Sequence, residues 1–486
     1  MSLKLQSIPA LFLGVAVLGL AACVPDLGSL PVEKAPDAYA SQKSLAAPAS
    51  NWPEADWWKI YGDDQLNGLI AEGVANAPDL KKAEARLREA DATAQQSGAS
   101  LLPKLTANGT ANETRSSLNQ GFPTQFQSFL PHGFHDQGRL TGDLSYDPDF
   151  FGKNRAAFAA ATSEADAARV DLASSRLSLS SAIASAYANL VQLTADRAAA
   201  LDAINVRTQS AELLHQRLLQ QLENTGAYSE AQSRTSAAEA DLDRIDGQIA
   251  LARNQLAALI GKGPDRGLDI PLPATPALKT FGVPADLSAD LIGRRPDIVA
   301  ARLRATAASK RIDVAHADFY PNINLTGYAG FQSLGLNTLI TSSSLIGQLG
   351  PAISLPIFDG GRIEGAYRGA RAQYDEAVAT YDQTLTTALR EVADALANQR
   401  ELGNELGHSR AALAASEDAY RVTQQRYGAG LSRYLDVLTS EDTLVTQRKV
   451  VADLQARAFV QDVALVRALG GGFHFNDNVG AKSAGE

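Results

Sequence analysis

A stretch of 35 residues occurs twice in this chain, and that repeat constrains the fold more than any single motif. Residues 78–112 superpose on 296–330 at a shift of 218, without a gap and with nine identities. Pro78-Asp79 falls on Pro296-Asp297, Arg86 on Arg304, Pro103 on Pro321 and Gly109 on Gly327. Repetition at a fixed period has to be recognised before any other fold assignment. Each copy reads as one physical event. A helix opened by Pro-Asp runs into a proline, which lacks an N–H and disfavours helix in the residue before it. The chain then leaves as an alternating strand.

The pattern after each proline has period two. Leu105 to Arg115 alternates small or apolar with polar residues, and a second such run, about 139–147, ends at Pro148. In the second copy Ile323, Leu325, Gly327, Ala329 and Phe331 share one face, against Asn324, Thr326, Tyr328 and Gln332. A returning strand, about 347–355, ends at Pro356. Between Asp149 and Gly263, and again from Ile357 to the end, there is no proline. Apolar residues at three- and four-residue steps there predict coiled-coil helices. The first runs from about 154 to 222, roughly 100 Å at 1.5 Å per residue. It breaks at Asn224-Thr225-Gly226-Ala227-Tyr228-Ser229 and returns from about 229 to 260. The second runs to about Tyr427, breaks at Gly428-Ala429-Gly430 and returns from about Tyr434 to Leu469.

The N-terminus reads as a secretory signal. Lys4 precedes an apolar run, Leu11 to Leu20, too short to span a bilayer. It ends in Leu20-Ala21-Ala22-Cys23, which resembles the lipobox of bacterial lipoproteins, with cleavage before Cys23 and acylation of that residue. Cys23 is the only cysteine, so no intramolecular disulfide is possible. Several acyl chains give a lasting anchor, and Val24 in place of Asp favours the outer membrane. The expected organisation is signal 1–22, lipid-anchored tether 23–60, first repeat 61–263 with its hairpin over 154–262, and Pro-rich linker 264–295. A second repeat, 296–470, with its hairpin over 362–469, and a tail, 471–486, complete it.

Chemistry is sparse. A net charge of −10 lacks the basic face that nucleic acid requires. His132 and His135 lie in a Gly/Pro loop without a third ligand nearby, and His215, His316 and His408 fall within helices. Asp63-Asp64 and Glu441-Asp442 read as cap and surface charges. Trp57-Trp58 reads as an aromatic staple at a helix start. No catalytic constellation, metal site or cofactor is expected.

Four strands cannot close a barrel, for which about eight is the practical minimum, and an open edge cannot sit in lipid. Either the strands form a soluble sheet or several chains share one barrel. Three chains would supply twelve strands, with each helix pair projecting into water as part of a continuous tube. The expected fold is mainly α and internally duplicated, its strands forming either a soluble sheet or, shared among three copies, a membrane β-barrel. Pro103, Pro148, Pro321 and Pro356 would mark the helix–strand junctions.

The lipobox, Trp57-Trp58, Pro78-Asp79-Leu80, Asp149-Phe150-Phe151-Gly152-Lys153, Arg294-Arg295-Pro296-Asp297-Ile298 and Tyr427-Gly428-Ala429-Gly430-Leu431-Ser432 together resemble the TolC-like outer membrane factors of Gram-negative bacteria, NodT branch. The resemblance spans the mature chain in order. It implies a homotrimer with a 12-stranded barrel in outer-membrane lipid, a periplasmic helical tunnel and an equatorial region. It also implies a periplasmic adaptor and an inner-membrane pump, often of the resistance-nodulation-division (RND) class, so that the protein is a passive efflux duct and no enzyme. Hairpin tips that close the tunnel and meet the adaptor would be Gly226 and Tyr228, and Gly428, Gly430, Leu431, Ser432, Arg433, Tyr434 and Asp436. Relatives often carry an Asp near Ser432 or Arg433, and this chain does not. Two other readings remain open here: an outer-membrane duct for ABC-driven protein secretion, and a periplasmic coiled-coil scaffold lipoprotein without a channel.

Overall fold

The computed structural model describes residues 24–41, 43–46, 49–115, 117, 123, 133–273, 283–284 and 293–475. Cys23 and His132 lie outside these. The described chain forms two compact units, each drawing on both halves of the sequence.

One unit comprises Arg88–Asp166 and Arg302–Ala379 together with the chain up to Val32. Its centre is a four-stranded antiparallel sheet of β1 (Lys104–Thr114), β2 (His135–Tyr146), β3 (Asn322–Leu334) and β4 (Leu345–Ser354), in that spatial order. Lys104 faces Ser145, Ser145 faces Thr326, and Asn322 faces Ser354. Strands of 10 to 13 residues match the length a tilted strand needs to cross a bilayer. The flanking prolines Pro103, Pro148, Pro321 and Pro356 belong to neither helix nor strand. A small apolar cluster in the same unit joins Ile312, Ala315, Tyr367 and Ala370 with Val24 and Leu27.

The other unit comprises Glu33–Leu87, Ala167–Ala301 and Thr380–Glu486. Its core gathers Trp57, Trp58, Tyr61, Leu66 and Ile70 against Ile183, Tyr187 and Leu190, with Ile249, Leu256, Phe459 and Val463 from later helices. The tryptophans open a 3₁₀ turn and are both buried. Asp63 then caps α1 (Asp64–Asn76), accepting hydrogen bonds from the backbone N–H groups of Gln65 and Leu66. α2 (Pro78–Gly98) follows at once.

Two helical hairpins carry the duplication further than the sequence comparison does. α3 (Lys153–Leu219) and α4 (Thr225–Leu259) have 67 and 35 residues. After the short α5 (Pro264–Leu268) and α6 (Pro296–Ala317), α7 (Arg362–Gly428) and α8 (Tyr434–Ala468) again have 67 and 35. Here the shift is 209, not 218.

Both helices end the same way. At the second turn Leu431 N–H reaches Arg426 O (2.8 Å) and Gly430 N–H reaches Tyr427 O (2.9 Å), with Gly430 at φ +76°. At the first, Leu222 N–H reaches Arg217 O (2.9 Å) and Gln221 N–H reaches Leu218 O (3.0 Å), with Gln221 at φ +59°. This is the Schellman termination, whose left-handed position glycine fills without strain.

Three expectations need correction. The first hairpin turns at 220–224, not 224–229: Asn224 caps α4 by accepting the Ala227 N–H, so Gly226 and Tyr228 sit in the first helical turn. His135 is not in a loop; it opens β2 and pairs with Thr114. Glu441 is not a surface charge, because it is 2 % exposed.

Candidate functional site

The sheet has two chemically distinct faces, and the register decides which residues share each. Directly opposed residues of antiparallel strands lie on the same side. Leu105, Gly109, Leu140, Leu144, Leu325, Phe331, Leu349 and Ile353 therefore share one face, interleaved with alanines and glycines. Leu105, Leu349 and Ile353 are 75 %, 69 % and 69 % exposed. An apolar surface of that extent needs lipid or protein against it.

The opposite face is polar and already ordered. Asn108 Nδ2 donates to Asp143 Oδ2 at 2.7 Å, and Thr141 Oγ1 donates to the same oxygen at 3.0 Å. The Arg139 guanidinium lies 4.9 Å from the centre of the Tyr328 ring. Asn324 Nδ2 donates to Ser145 Oγ at 3.2 Å. Gly330 belongs to this seam: a Cβ there would collide with Leu140 O and the Thr141 backbone.

At the strand-to-helix junction Asp149 takes φ +55°, rare for a residue with a side chain. Its carboxylate accepts the Asn154 N–H (3.0 Å), the Arg155 N–H (2.8 Å) and Arg155 Nε (3.2 Å). Burial would raise its pKa, yet these donors together lower it. Beside it Phe151 stacks on Tyr320, centroids 4.8 Å apart, and Lys153 Nζ meets Asp318 Oδ1 at 2.6 Å.

Near the hairpin ends the structure brings together charges that the sequence leaves far apart. Arg207 Nε donates to Glu441 Oε1 (3.2 Å), and another Arg207 nitrogen donates to Asp442 (3.3 Å). Arg234 donates to Asp442 at 2.8 Å and to Glu230 at 3.2 Å. These pairs tie α8 to α3 and α4. Burial, opposed by Arg207, raises the pKa of Glu441. Burial and Glu441 push the Tyr434 hydroxyl up to about 12, so it remains a proton donor. Tyr427 is buried, with its hydroxyl 3.4 Å from Glu223 Oε1 and the Arg217 guanidinium 4.8 Å from its ring.

Among the tip residues singled out from sequence, Asp436 accepts the Arg433 backbone N–H at 3.0 Å and so caps α8. Leu431 is 69 % exposed, while Gly428 closes α7. The Arg207–Glu441–Asp442–Arg234 cluster escapes sequence reading because its two arginines lie more than 200 positions from its two acids. Glu441 does sit at a core spacing, three residues after Leu438 and three before Leu444, and that was the available signal.

Arg295 of the Arg294-Arg295-Pro296-Asp297 motif is a buried clamp. It forks onto Asp297 (2.6 and 3.0 Å), reaches Glu391 (2.8 Å) and donates to Ala468 O (3.2 Å). The motif thus fastens the start of α6 to α7 and to the end of α8. No group of three metal-binding side chains occurs among the described residues, and no helix there is long and apolar enough to cross a membrane.

A sheet with one apolar and one polar face, too narrow to close alone and continued by long paired helices, defines a β-barrel channel protein. The comparisons agree. The family model of the outer membrane efflux protein matches residues 69–262 and 287–471. The multidrug resistance outer membrane protein MdtP of Escherichia coli K12 is 30 % identical over 435 residues, 87 % of this chain and 88 % of that protein. The fusaric acid resistance protein FusA of Burkholderia cepacia is 34 % identical over 375 residues, 74 % and 69 %. The crystal structure of the outer membrane protein VceC of Vibrio cholerae superposes with a TM-score of 0.81 at 41 % identity, covering 87 % of this chain and all of that one. The chain belongs to the outer membrane efflux protein family. It is an outer-membrane efflux channel and not an enzyme.

Proposed function

We propose that three copies of this chain form the exit duct of a tripartite efflux system, through which small molecules pass passively from a periplasmic adaptor and an inner-membrane pump, of the RND class, to the exterior. The observation that carries this reading is the sheet: two edge strands without a strand partner among the described residues, and an apolar face beside a polar, hydrogen-bonded one. In lipid an open edge leaves backbone groups unsatisfied at several kcal/mol each (about 2–7 by transfer). Twelve strands from three copies remove the edges and leave the polar faces around a lumen wide enough for water. The long arm of each helical hairpin, about 100 Å by its residue count, is far longer than a bilayer is thick, and the hairpins belong in the periplasm as a tunnel.

In this reading residues 1–22 are removed and Cys23 is acylated. The tether 23–60 and the linker 264–295 form an equatorial belt, and 61–263 and 296–470 are the two repeats. The tips around Gly226 and Tyr228 and from Gly428 to Asp436 meet the adaptor and narrow the tunnel, with Arg433 and Asp436 forming rings of three. The names of MdtP and FusA, multidrug and fusaric acid resistance, support a small-molecule cargo. The pump selects the substrate and supplies the energy.

Conductance in planar bilayers tests the reading. A low-conductance resting state that opens when residues 428–436 are altered supports it. A protein that remains a single chain in detergent and conducts nothing refutes it.

A further inference from the structure

We propose that β4 of one copy pairs antiparallel with β1 of the next in a defined register: Ser354 against Asn108, Ile353 against Gly109 and Ala352 against Thr110. The inference rests on the three-copy reading above and specifies its seam.

The chain already contains a template for that seam. β2 and β3 come from different repeats, so their pairing is a repeat-to-repeat contact. In a ring of three copies the remaining such contact is β4 to the next β1. The duplication converts one into the other once both shifts are known. The shift of 218 carries β1 onto β3. Lys104 faces Ser145, and its equivalent Asn322 faces Ser354, so β2 maps onto β4 with Ser145 on Ser354, a shift of 209. The hairpins independently give the same 209, Lys153–Leu219 falling on Arg362–Gly428. Ser145 faces Thr326, Leu144 faces Gly327 and Asp143 faces Tyr328. Their equivalents are Ser354 with Asn108, Ile353 with Gly109, and Ala352 with Thr110.

The register keeps the two faces of the sheet continuous across the seam. Ile353 and Gly109 both belong to the apolar face, Ser354 and Asn108 both to the polar one. A slip by one residue would set apolar against polar along the whole seam. Just past the strand end, continuing the register brings Ile357 opposite Leu105, and these are 93 % and 75 % exposed in the single chain. Within the chain, Phe151 stacks on Tyr320 and Lys153 pairs with Asp318; the two shifts carry these contacts to Gly360 with Leu102 and to Arg362 with Ser100, which can form neither. The seam between copies therefore loses a ring stack and an ion pair, and Ile357 against Leu105 supplies apolar contact in their place. The occupant of this edge is a second copy of the chain.

Paired cysteines test the register in the full chain, expressed in an outer membrane and oxidised before non-reducing electrophoresis. Asn108→Cys with Ser354→Cys, and Thr110→Cys with Ala352→Cys, should each give covalent trimers. Asn108→Cys with Ala352→Cys, two residues out of register, should not. Ile357→Asp should lower the temperature at which trimers dissociate. As a readout independent of the cysteines, a photo-reactive amino acid at 357 should label residues 104–106 of a neighbouring copy. Cross-linking of the out-of-register pair instead, in a particle of three-chain mass, overturns the register and leaves the three-copy reading standing. Labelling of lipid alone, or an unchanged Ile357→Asp trimer, overturns the apolar contact. A single-chain mass for the unaltered protein overturns both.

Discussion

Removing Arg207 should loosen the second hairpin where it meets the first. Glu441 is 2 % exposed and its Oε1 takes the Arg207 Nε–H, while no hydrogen-bond partner for Oε2 occurs among the described residues. Breaking a buried ion pair by deleting one partner costs about 3–5 kcal/mol, because the remaining charge is left uncompensated. The Arg207 side chain keeps 18 % of its exposure, and Asp442 retains Arg234, so the low end applies. Arg207→Ala should therefore cost about 3 kcal/mol, roughly a 150-fold shift toward local opening. Glu441→Gln removes the charge itself and should cost about 1 kcal/mol. The double variant should be more stable than Arg207→Ala alone.

The pH dependence has a definite sign. The folded-state pKa of Glu441 is raised above its ordinary value of 4.5 by burial. Its contribution to stability is then fully present below about pH 4.5 and is lost as pH rises through the folded value. Without Arg207, which opposes the shift, the window moves to higher pH. Amide hydrogen exchange across residues 437–445 of the detergent-solubilised full chain, at pH 5 and 8, measures both effects. Equal losses for Arg207→Ala and Glu441→Gln, with no pH dependence in either, would refute the reasoning.

Other outcomes follow from single contacts. Arg295→Lys keeps the charge but loses the fork onto Asp297 and its reach to Glu391 and Ala468 O; thermal unfolding should show a loss of about 2–3 kcal/mol. Gln221→Gly should stabilise the first hairpin by about 1 kcal/mol and Gly430→Ala should destabilise the second by a similar amount, both read from exchange at the turns. Gly330→Ala should prevent assembly of the sheet, seen as loss of the heat-resistant band on gels, because the new methyl meets the β2 backbone. Cys23→Ser should release the chain from lipid-dependent anchoring, measured by loss of radiolabelled acyl incorporation.

Much of the architecture follows from local chemistry and was legible in the sequence. Proline cannot continue a helix and cannot donate to a sheet ladder, so helical segments stop before Pro103 and Pro321 and strands stop before Pro148 and Pro356. Period-two alternation assigned the faces of β3, and the absence of proline over two long spans announced the hairpins. Boundaries were less legible where two local signals compete. Asn224 could read as a loop residue, but its side-chain Oδ1 accepts the Ala227 N–H and starts the helix early. His135 follows a segment with Gly121, Pro123, Pro131 and Gly133, yet pairing with Thr114 recruits it into the strand.

What only the tertiary structure decided is long-range pairing. The sequence comparison finds a shift of 218 over the helix-to-strand segments. The second shift of 209 shows in the sequence only at one short junction, where Gly360-Gly361-Arg362 matches Phe151-Gly152-Lys153; strand register and helix ends extend it over both hairpins. Glu441 looks like a surface acid because a charge is usually solvated; in the fold it is buried, and α3, more than 200 positions away, supplies Arg207. Asp149 looks like a turn residue, and the donors that hold it ionised appear only when α3 starts. Periodicity and proline act within a few residues, so the sequence alone determines elements and their faces. Register and charge pairing are energies between elements, and only the folded chain specifies them.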